Sequence, residues 1–338
     1  MSEFAPRLAS WHREQGRHDL PWQHRGAYAT WISEIMLQQT QVAVVIPYFH
    51  RFMESFPNPV ALADASEDQV LAHWAGLGYY ARARNLHHAA QQIRDQFHGE
   101  IPDTLEDLMH LKGIGRSTAG AILSLGFHKF GVIQEGNVRR VLARYYGIDS
   151  DLSSASAQKQ LWELATQLTP SAGDAAAIHA QAMMDLGATI CRKNQPACLN
   201  CPLQSDCIAL KTGRVMEIPR PKKTKQRPEA NWVVLQVVDT DGKTLLCRRP
   251  SEGIWGGLFA PPIAESLNDI GNAFGIPNVL EAETVGQVEH AFSHFKVQLH
   301  FFKLHAPVER VPGDAVWEVI SGFQGGLPAP IERVLREG

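Results

Sequence analysis

A group of four cysteines near the middle of the chain limits the fold more than any other feature of the sequence. Of the five cysteines in 338 residues, four fall within seventeen positions in the pattern C-x6-C-x2-C-x5-C. They are Cys191, Cys198, Cys201 and Cys207. A chain this long with so few cysteines is not a disulfide scaffold, because such scaffolds are small and dense in cysteine. The spacing therefore predicts a metal site.

Zinc and a [4Fe-4S] cluster both accept four thiolates. Zinc sites usually show two closely spaced pairs of ligands, whereas this chain has a single C-x2-C pair between two outlying cysteines. The pattern favours the iron–sulfur cluster. Zinc is the first alternative, and four reduced thiols without a metal are the second.

Length and composition restrict the class of protein. The length allows two domains, and 44% apolar residues are enough for ordinary hydrophobic cores. The first fifteen residues hold charges and no apolar run, so no signal peptide is predicted. No apolar stretch approaches the length of a membrane span, and we expect a cytoplasmic protein that makes no contact with a membrane. The net charge of −3 divides into +2 for residues 1–230 and −5 for residues 231–338, which is weak evidence for nucleic-acid binding.

Helical and strand-like patterns divide the chain in two. Up to about residue 215, apolar residues recur at helical spacing and strand-like alternation is absent. The segment 217–230 is rich in proline and basic residues and has nothing to bury, so it is predicted to be a linker. Strand runs follow at 232–238, 244–247 and 298–304. We therefore expect a multidomain protein with an all-α domain at 1–216 and an α+β domain at 231–338.

A helix, a tight turn and a second helix are predicted at about 104–125. The turn contains Gly113 and Gly115 between Lys112 and Arg116. We expect both glycines to permit positive φ and to let the backbone approach a ligand closely. Amide groups at the start of the second helix can then bind a phosphate. A plain helix connection is an equal alternative from this segment alone, but the two basic residues favour the phosphate.

Two acidic residues are candidates for acid–base chemistry. Glu34 lies in an apolar helix predicted at 28–37, and at helical spacing it shares a face with Gln38 and Gln41. Burial raises the pKa of such a carboxyl group and suits it to general acid catalysis, although an exposed glutamate is the better interpretation in isolation. Glu135 precedes a helix, where capping is the better isolated interpretation. Two acids that flank one bond are the usual equipment for glycosidic cleavage.

These residues belong to an ordered set of motifs that covers nearly the whole chain. Besides the cysteines, the set comprises residues 20–22, 31–41, 76–85, 111–125, 136–144, 183–188, 246–250, 253–258 and 290–295. Any one motif is weak, but the ordered set is specific. The chain thereby resembles adenine DNA glycosylases of the MutY type, within the endonuclease III superfamily. The resemblance implies a helix-hairpin-helix DNA glycosylase domain with a [4Fe-4S] cluster, followed by a Nudix-like domain that recognises 8-oxoguanine.

The resemblance also implies a substrate and a role for individual residues. The substrate is adenine mispaired with 8-oxoguanine, or with guanine, in double-stranded DNA, and the protein acts as a monomer, associated with the nucleoid if bacterial. Catalysis falls to Glu34, which protonates adenine, and to Glu135, Asn137 and Ser117. DNA contacts fall to Gln38, Gln39, Tyr79, Lys112, Gly113, Gly115 and Arg116. The oxidised guanine is recognised by Phe292, Ser293 and His294, and the cluster is bound by the four cysteines.

Ser117 bears on the outcome of the reaction. In the lyase members of the superfamily, a lysine at this hairpin position forms a Schiff base with the sugar. A serine cannot do so. The resemblance therefore implies a monofunctional glycosylase that removes the base and leaves the strand intact.

The chain departs from the family pattern at several positions. Glu135 stands where the family has aspartate, Gln134 replaces a leucine, and Ala180 replaces an asparagine. The extra methylene moves the carboxylate by about 1.5 Å, and a misplacement near 1 Å costs on the order of a hundredfold in rate. We therefore predict a slower glycosylase, with a retreat of the backbone and full activity as the alternative. The C-terminal part lacks the clustered carboxylates of a Nudix box, so pyrophosphate hydrolysis is not expected.

Two other functions stay open from the sequence alone. One is a pyrimidine-directed glycosylase of the endonuclease III kind, against which Ser117 and the C-terminal domain argue. The other is a lesion-binding protein with little or no excision activity, which is favoured only by Glu135.

Overall fold

The computed structural model describes residues 3–220, 227–292 and 294–337. These residues form two compact units. The first unit combines residues 3–64 with 85–220, and the second combines residues 65–84 with 227–337. The second unit therefore takes in a short segment of the helical part of the chain, which the predicted boundaries do not anticipate.

Helices make up the regular structure of the described residues before Glu229. In chain order, the α-helices of the described residues are α1 (Phe4–Gln15), α2 (Gly26–Leu37), α3 (Val42–Ser55), α4 (Pro59–Asp64), α5 (Glu67–Trp74), α6 (Ala81–Gln96), α7 (Leu105–His110), α8 (Arg116–Ala121), α9 (Gly136–Tyr146), α10 (Ala155–Leu168), α11 (Gly173–Asp185), α12 (Ile208–Lys211), α13 (Leu267–Phe274) and α14 (Ala329–Glu337). Short π-helical segments at Ile122–Gly126 and Leu186–Ile190 continue α8 and α11. None of the helices in the described parts of the chain combines the length and the apolar character that a membrane span requires.

The core of the first unit packs α1 against α9, α10 and α11. Leu8, Leu142 and Leu161 on the facing sides of these helices are completely buried. Each such side chain contributes roughly 1.5–3 kcal/mol to folding by leaving water. Gly147 ends α9 with a φ of 68°, a left-handed conformation in which glycine is favoured at a helix end.

The second unit is built on a mixed sheet, as the strand runs of the sequence predict. Its strands are β1 (Glu229–Val238), β2 (Thr244–Arg248), β3 (Phe259–Ala260), β4 (Ile263–Ala264), β5 (Glu283–Ala291), β6 (Lys296–His305) and β7 (Val316–Glu318). The order is β3-β2-β1-β6-β5, with β4 beside β1 and β7 beside β2. β1 and β6 are parallel, and the other pairs are antiparallel. β1 begins two residues before the start predicted for this domain, because Glu229 already pairs with Lys296.

β5 and β6 form an antiparallel hairpin, which we call the β5–β6 hairpin. Its last pair is Ala291 with Lys296, and the described residues of its tip are Phe292, His294 and Phe295. The Phe292 N–H donates to the Phe295 carbonyl at 2.9 Å and closes the turn. Ser293, which the sequence analysis assigns to recognition, lies outside the described residues.

One local expectation about the Glu34 helix is wrong. α2 ends at Leu37, so Gln38 and Gln41 do not share a helical face with Glu34. Gln39 adopts a φ of 60°, and Gln41 is already the N-cap of α3. The turn between the two helices breaks the spacing that a continuous helix would keep.

Candidate active site

A cavity of about 440 Å³ lies beside Glu34 in the first unit. This volume falls within the range of sites that bind small molecules. Its walls come from α1, α2, α11 and the connection between α1 and α2, and they include His18, Trp22 and Gln181. Aromatic, apolar and hydrogen-bonding groups thus share this cavity with the Glu34 carboxyl group, which suits a flat heteroaromatic guest.

The carboxyl group of Glu34 is set to hold a proton near neutral pH. Its pKa is raised to about 7, mainly by burial and to a lesser extent by the negative charge of Glu135. Its neighbours Trp31, Ile32 and Ile35 on α2 are buried, which explains the low polarity around it. The sequence alone favours an exposed glutamate and offers this desolvation as the alternative, and a group with this pKa is suited to general acid catalysis.

Glu135 is the N-cap of α9. Its Oε2 accepts the Asn137 N–H at 2.8 Å, and its Oε1 accepts the Val138 N–H at 3.1 Å. These donors and the positive end of the helix fix the carboxylate. The capping role that the sequence offered as an alternative is therefore present. It does not exclude a second role, because each carboxylate oxygen keeps another lone pair.

Ser117 positions the chain that leads into Glu135. The Gln134 N–H donates to Ser117 Oγ at 2.8 Å, and Arg139 Nε donates to the Gln134 carbonyl at 3.2 Å. Ser117 thus acts as a hydrogen-bond acceptor that joins α8 to the start of α9. A lysine ammonium, which only donates, could not accept this bond.

Arg140 connects the start of α9 with the cysteine segment. Its Nη2 donates to Asn137 Oδ1 and to the Gly187 carbonyl, each at 2.7 Å, and its Nε donates to the Cys191 carbonyl at 2.8 Å. Gly187 is needed for this approach, because a Cβ there would lie 2.5 Å from the Asn137 Cβ. The same guanidinium therefore holds Asn137 and the first of the four cysteines.

Asp185, which the sequence analysis did not single out, supports one wall of the cavity. It is fully buried and accepts Nε and Nη2 of Arg17 at 2.8 and 2.6 Å and the Arg17 N–H at 2.8 Å. Gln181 Nε2 donates to it at 2.9 Å, and His12 Nε2 lies 3.3 Å away. Burial acts to raise the pKa of Asp185, but the nearby His12 ring and the bonds from Arg17 outweigh burial and lower it. No local signal reveals this network, because Arg17 and Asp185 are 168 positions apart.

Replacing Asp185 by alanine is expected to lower the free energy of unfolding by about 3 kcal/mol, since Arg17 and Gln181 lose their common acceptor. This is the lower end of the usual range for a buried pair, because the Arg17 side chain still reaches solvent. Urea unfolding followed by circular dichroism measures the change. The matched control is Asp174→Ala on the same helix, whose side chain is 87% exposed and which should cost less than about 1 kcal/mol. Equal losses in both variants would contradict the assignment.

The predicted helix-hairpin-helix is formed by α7, α8 and the turn between them. Gly113 has a φ of 79°, and a Cβ there would lie 2.8 Å from the Asn85 Cβ, so this position requires glycine. Gly115 has a φ of −89°, which any residue adopts, and the expectation of a positive φ is wrong at this position. Gly115 instead serves as the N-cap of α8.

Lys112 and Arg116 flank this turn. The Lys112 N–H donates to Gln92 Oε1 at 2.8 Å, so this amide already has an acceptor within the chain. The Arg116 guanidinium lies 4.2 Å from the ring centre of Trp162 in a cation–π contact. The Lys112 ammonium and the first turn of α8 are the groups that can meet a phosphate here.

Gln38 and Gln39 follow α2 directly. Gln39 is exposed, and its φ of 60° is uncommon for a residue other than glycine. Such conformations concentrate at ligand-binding and catalytic sites. The loop after Glu34 thus combines this uncommon backbone conformation with two amide side chains, and both lie close in sequence to the candidate acid.

The four cysteines line one cavity in the first unit, together with the apolar side chains of Leu186, Ile190 and Leu203. Arg144 Nη1 lies 3.4 Å from Cys191 Sγ. The pKa of Cys201 is raised to about 12, chiefly by burial and in the same direction by the other three thiols. Among the described residues, no group of three or more histidine, cysteine, aspartate or glutamate side chains is arranged to hold a metal ion. The thiols thus share a cavity without converging on one point.

Tyr79 stands in the second unit on the turn 75–80 between α5 and α6, which we call the Tyr79 turn. Its side chain is 44% exposed and its φ is 52°. The Arg82 guanidinium lies 5.3 Å from the ring centres of both Tyr79 and Trp74. An exposed aromatic ring on a turn held in this way can stack on bases.

Aromatic rings cluster at the tip of the β5–β6 hairpin. Phe292 stacks on Phe295 at a centroid distance of 4.7 Å, and His294 lies 4.9 Å from Phe295. His290 meets Phe292 edge-on at 4.6 Å. Flat rings beside imidazole nitrogens suit a planar partner with a polar edge.

Known proteins resemble this chain in sequence and in structure. Residues 32–167 match the family described as HhH-GPD superfamily base excision DNA repair protein, and residues 233–337 match a NUDIX domain. An adenine DNA glycosylase from Buchnera aphidicola subsp. Acyrthosiphon pisum is 36% identical over 98% of this chain and 96% of its own. The human adenine DNA glycosylase is 34% identical over 94% of this chain and 70% of its own. The structure of a thermostable thymine-DNA glycosylase aligns with a TM-score of 0.56 and 26% identity over 62% of this chain and 95% of that one. The predicted fold, a helix-hairpin-helix glycosylase part before a Nudix-like part, is confirmed.

Proposed function

Because the chain belongs to the adenine DNA glycosylases of the helix-hairpin-helix superfamily, we propose that it removes adenine paired with 8-oxoguanine, or with guanine, from duplex DNA. Excision of adenine in base excision repair follows from the family, and the identity of the opposite base is the proposal. The observation that carries the catalytic part is Glu34, a carboxyl group with a pKa of about 7 beside a cavity that suits a base.

Adenine in a stacked duplex is out of reach, so it has to be flipped out at a cost of a few kcal/mol, which a mispair lowers. Glu34 then donates its proton to a ring nitrogen of the flipped adenine. The N-glycosidic bond breaks, its electron pair leaves with the protonated base, and the sugar becomes cationic. Water adds to the sugar carbon and gives its proton to the Glu34 carboxylate, which restores the acid.

Glu135 supplies the negative charge that stabilises the cationic sugar. Its bonds to the Asn137 and Val138 N–H groups hold this charge in place before the reaction begins. The same charge contributes to the raised pKa of Glu34. The two carboxyl groups therefore take different roles, the usual result when their environments differ.

Ser117 supports a monofunctional reaction. Its Oγ accepts the Gln134 N–H at 2.8 Å and carries no amine that could attack the sugar. The strand should therefore stay intact after the base has left. Asn137, which Arg140 holds, completes the catalytic group that we propose.

DNA recognition is divided among the remaining candidate residues. Gln38, Gln39 and Tyr79 contact the duplex where adenine has left the stack, and Lys112, Gly113, Gly115 and Arg116 contact its backbone. Phe292, Ser293 and His294 read the oxidised guanine. The partner is double-stranded DNA with an A:8-oxoG pair, bound by one copy of the chain, in the cytoplasm and at the nucleoid if the source is bacterial.

Labelled duplexes that contain one A:8-oxoG, A:G or A:T pair test the proposal. We expect strand breaks at the adenine only after alkali treatment, fastest opposite 8-oxoguanine, and no covalent complex after reduction with borohydride. Tight binding without alkali-sensitive sites would indicate a lesion-binding protein instead. Release of oxidised pyrimidines in preference to adenine would indicate the pyrimidine-directed alternative.

We also propose that Cys191, Cys198, Cys201 and Cys207 hold a [4Fe-4S] cluster. The four thiols are partly buried, and burial together with the neighbouring thiols raises the pKa of Cys198, Cys201 and Cys207, so that these groups need a compensating cation to become thiolates. A single tetrahedral zinc would draw the sulfur atoms to within about 3.8 Å of one another, whereas a cluster gives each thiolate its own iron. A bound cluster supplies positive charge and ties the cysteine segment together, and Arg144 and Arg140 anchor the Cys191 end of that segment to α9.

Iron and sulfide analysis of the purified protein tests the cluster. We expect four irons and four sulfides per chain in the native protein, and loss of both with a lower melting temperature in Cys198→Ser. Cys247→Ser, which changes the one cysteine outside the group, should keep the full iron content. One zinc per chain and no iron in the native protein would contradict the proposal.

A further inference from the structure

We propose that Arg248 and Arg84 fix the Tyr79 turn to the β5–β6 hairpin, so that recognition of the lesion is coupled to the residue that holds the duplex open. This inference rests on the proposed roles of Tyr79 and Phe292, and it adds positioning residues that neither role requires. All the contacts that carry it lie within the second unit, where residues 65–84 pack with residues 227–337.

The first contact is a two-point ion pair between β2 and α5. Arg248 Nη1 and Nη2 donate to Asp68 Oδ1 and Oδ2, both at 2.6 Å. The guanidinium also lies 4.3 Å from the ring centre of Phe259, and Nη1 donates to the Gly257 carbonyl at 3.2 Å. The planar Arg248 guanidinium is held by Asp68, by the Phe259 ring and by the Gly257 carbonyl, so its orientation is fixed as well as its distance from Asp68. A lysine ammonium could not fix the orientation.

The second contact joins the start of α6 to the loop that follows β2. Arg84 Nη1 donates to the Gly256 carbonyl at 2.5 Å, and its Nη2 donates to the Ser251 carbonyl at 2.7 Å. Gly257 lets this loop approach α5 closely, because a Cβ there would lie 3.1 Å from Leu71 Cδ1. The two contacts therefore join the helices on both sides of the Tyr79 turn, α5 and α6, to β2 and to the loop that follows it.

Trp255 in that loop contacts the β5–β6 hairpin. Trp255 is 5% exposed and has a φ of 55°, so its backbone is held in an uncommon conformation by its surroundings. Its ring lies 5.4 Å from Phe292 and 6.0 Å from His290. Gly256, which accepts the bond from Arg84, is the next residue. A displacement of Phe292 therefore acts on the loop that Arg84 holds.

Asp68, the partner of Arg248, is connected to Tyr79 through α5 and Arg82. α5 carries Asp68 in its first turn and ends at Trp74. Trp74 Nε1 donates to the Gly78 carbonyl at 3.1 Å, and Arg82 Nη2 donates to the same carbonyl at 3.2 Å. The Tyr79 turn is thus held by the helix that Arg248 holds. Because the turn is already fixed, ordering the Tyr79 side chain costs less conformational entropy when DNA binds.

A half-exposed ion pair of this kind adds little to stability, so its removal should leave the fold intact. Arg248→Gln and Asp68→Asn are each expected to lower the single-turnover rate constant on A:8-oxoG by about tenfold and to leave that on A:G unchanged. The double variant should lose no more than either single variant. The swapped pair, Arg248→Asp with Asp68→Arg, should recover part of the preference. Arg336→Gln, which breaks another arginine–carboxylate pair in the same unit, is the control and should behave as the native chain.

Hydrogen exchange of the Tyr79 turn gives a second readout that does not depend on activity. In free Arg248→Gln, the amides of residues 75–80 should exchange faster than in the native protein, and those of α14 should not change. Unchanged exchange together with an unchanged ratio of the two rate constants overturns the coupling. An equal fall on both substrates also overturns it, because that indicates general damage. A native chain without any preference for 8-oxoguanine would instead remove the proposed reading role, and the coupling with it.

Discussion

Substitution of Glu34 by glutamine is expected to lower the single-turnover rate constant for adenine excision by about 10²- to 10⁴-fold, with little change in affinity for the A:8-oxoG duplex. Glutamine keeps the size of the side chain but has no acidic proton for the leaving base. Rate constants measured with enzyme in excess, and affinities from fluorescence anisotropy, separate catalysis from binding. Glu14→Gln, which changes an exposed acid on α1, is the control and should stay close to native. If Glu34→Gln cleaved at the native rate, another group would have to be the acid.

The pH dependence follows from the pKa of the same residue. Because the acid form of Glu34 is the active one and its pKa is about 7, the rate constant should fall as the pH rises through 7. Above that point we expect a loss of about tenfold per pH unit. The residual activity of Glu34→Gln should show no such limb. A native profile that stays level between pH 6 and about 9 would exclude Glu34 as the titrating acid.

The substitution should also change stability, with a sign that the pKa determines. The folded pKa of about 7 lies above the ordinary value of 4.5, so the folded chain holds this proton more tightly than the unfolded chain. The stability that this proton provides is therefore present below the ordinary value and is lost as the pH rises from there through 7. Glu34→Gln removes that loss. The difference in melting temperature between Glu34→Gln and the native protein should therefore be more positive at alkaline pH than at acidic pH.

Those parts of the fold and site that depend on local pattern are predictable from the sequence. The apolar neighbours of Glu34 are adjacent to it on one helix, so the direction of its pKa shift follows from the residues around it once the side chain is partly buried, although the sequence alone favours an exposed glutamate. The strand runs of the sequence predict the sheet of the second unit for the same reason. The end of the helix at Leu37 agrees with the predicted range 28–37, but the helical spacing that joins Glu34 to Gln38 and Gln41 does not continue past it, and the left-handed Gln39 is held by surroundings that the sequence does not display.

Those parts that depend on contacts between distant segments are not predictable in this way. Asp185 gathers Arg17, His12 and Gln181, and only one of these three lies within a helical turn of it. Arg140 stands in a motif that the sequence analysis identified, yet its bond to the Cys191 carbonyl spans 51 positions. Asp68 and Arg248 are 180 positions apart. A single sequence carries no pattern that relates such residues, because their proximity results from packing of whole elements.

The second large effect is expected at Glu135, where the family pattern has aspartate. The glutamate carboxylate is fixed by the Asn137 and Val138 N–H groups at the start of α9. Aspartate is equally suited to an N-cap, so Glu135→Asp should keep the helix while it draws the charge back by about 1.5 Å. If the longer side chain misplaces this charge relative to the sugar, the substitution should raise the single-turnover rate constant by about a hundredfold. An unchanged rate would show that the backbone already compensates for the extra methylene.

Glu135→Gln separates the charge of this residue from its geometry. Glutamine can still cap α9 through its carbonyl oxygen, but it removes the charge that stabilises the cationic sugar, so excision should fall below the native rate. It also removes the second cause of the raised pKa of Glu34, while burial, the larger cause, remains. The alkaline limb of the rate profile should therefore move to lower pH in Glu135→Gln without disappearing. A limb that stays at its native position would mean that the two carboxyl groups do not interact during catalysis, and Glu135 would then be a helix cap alone.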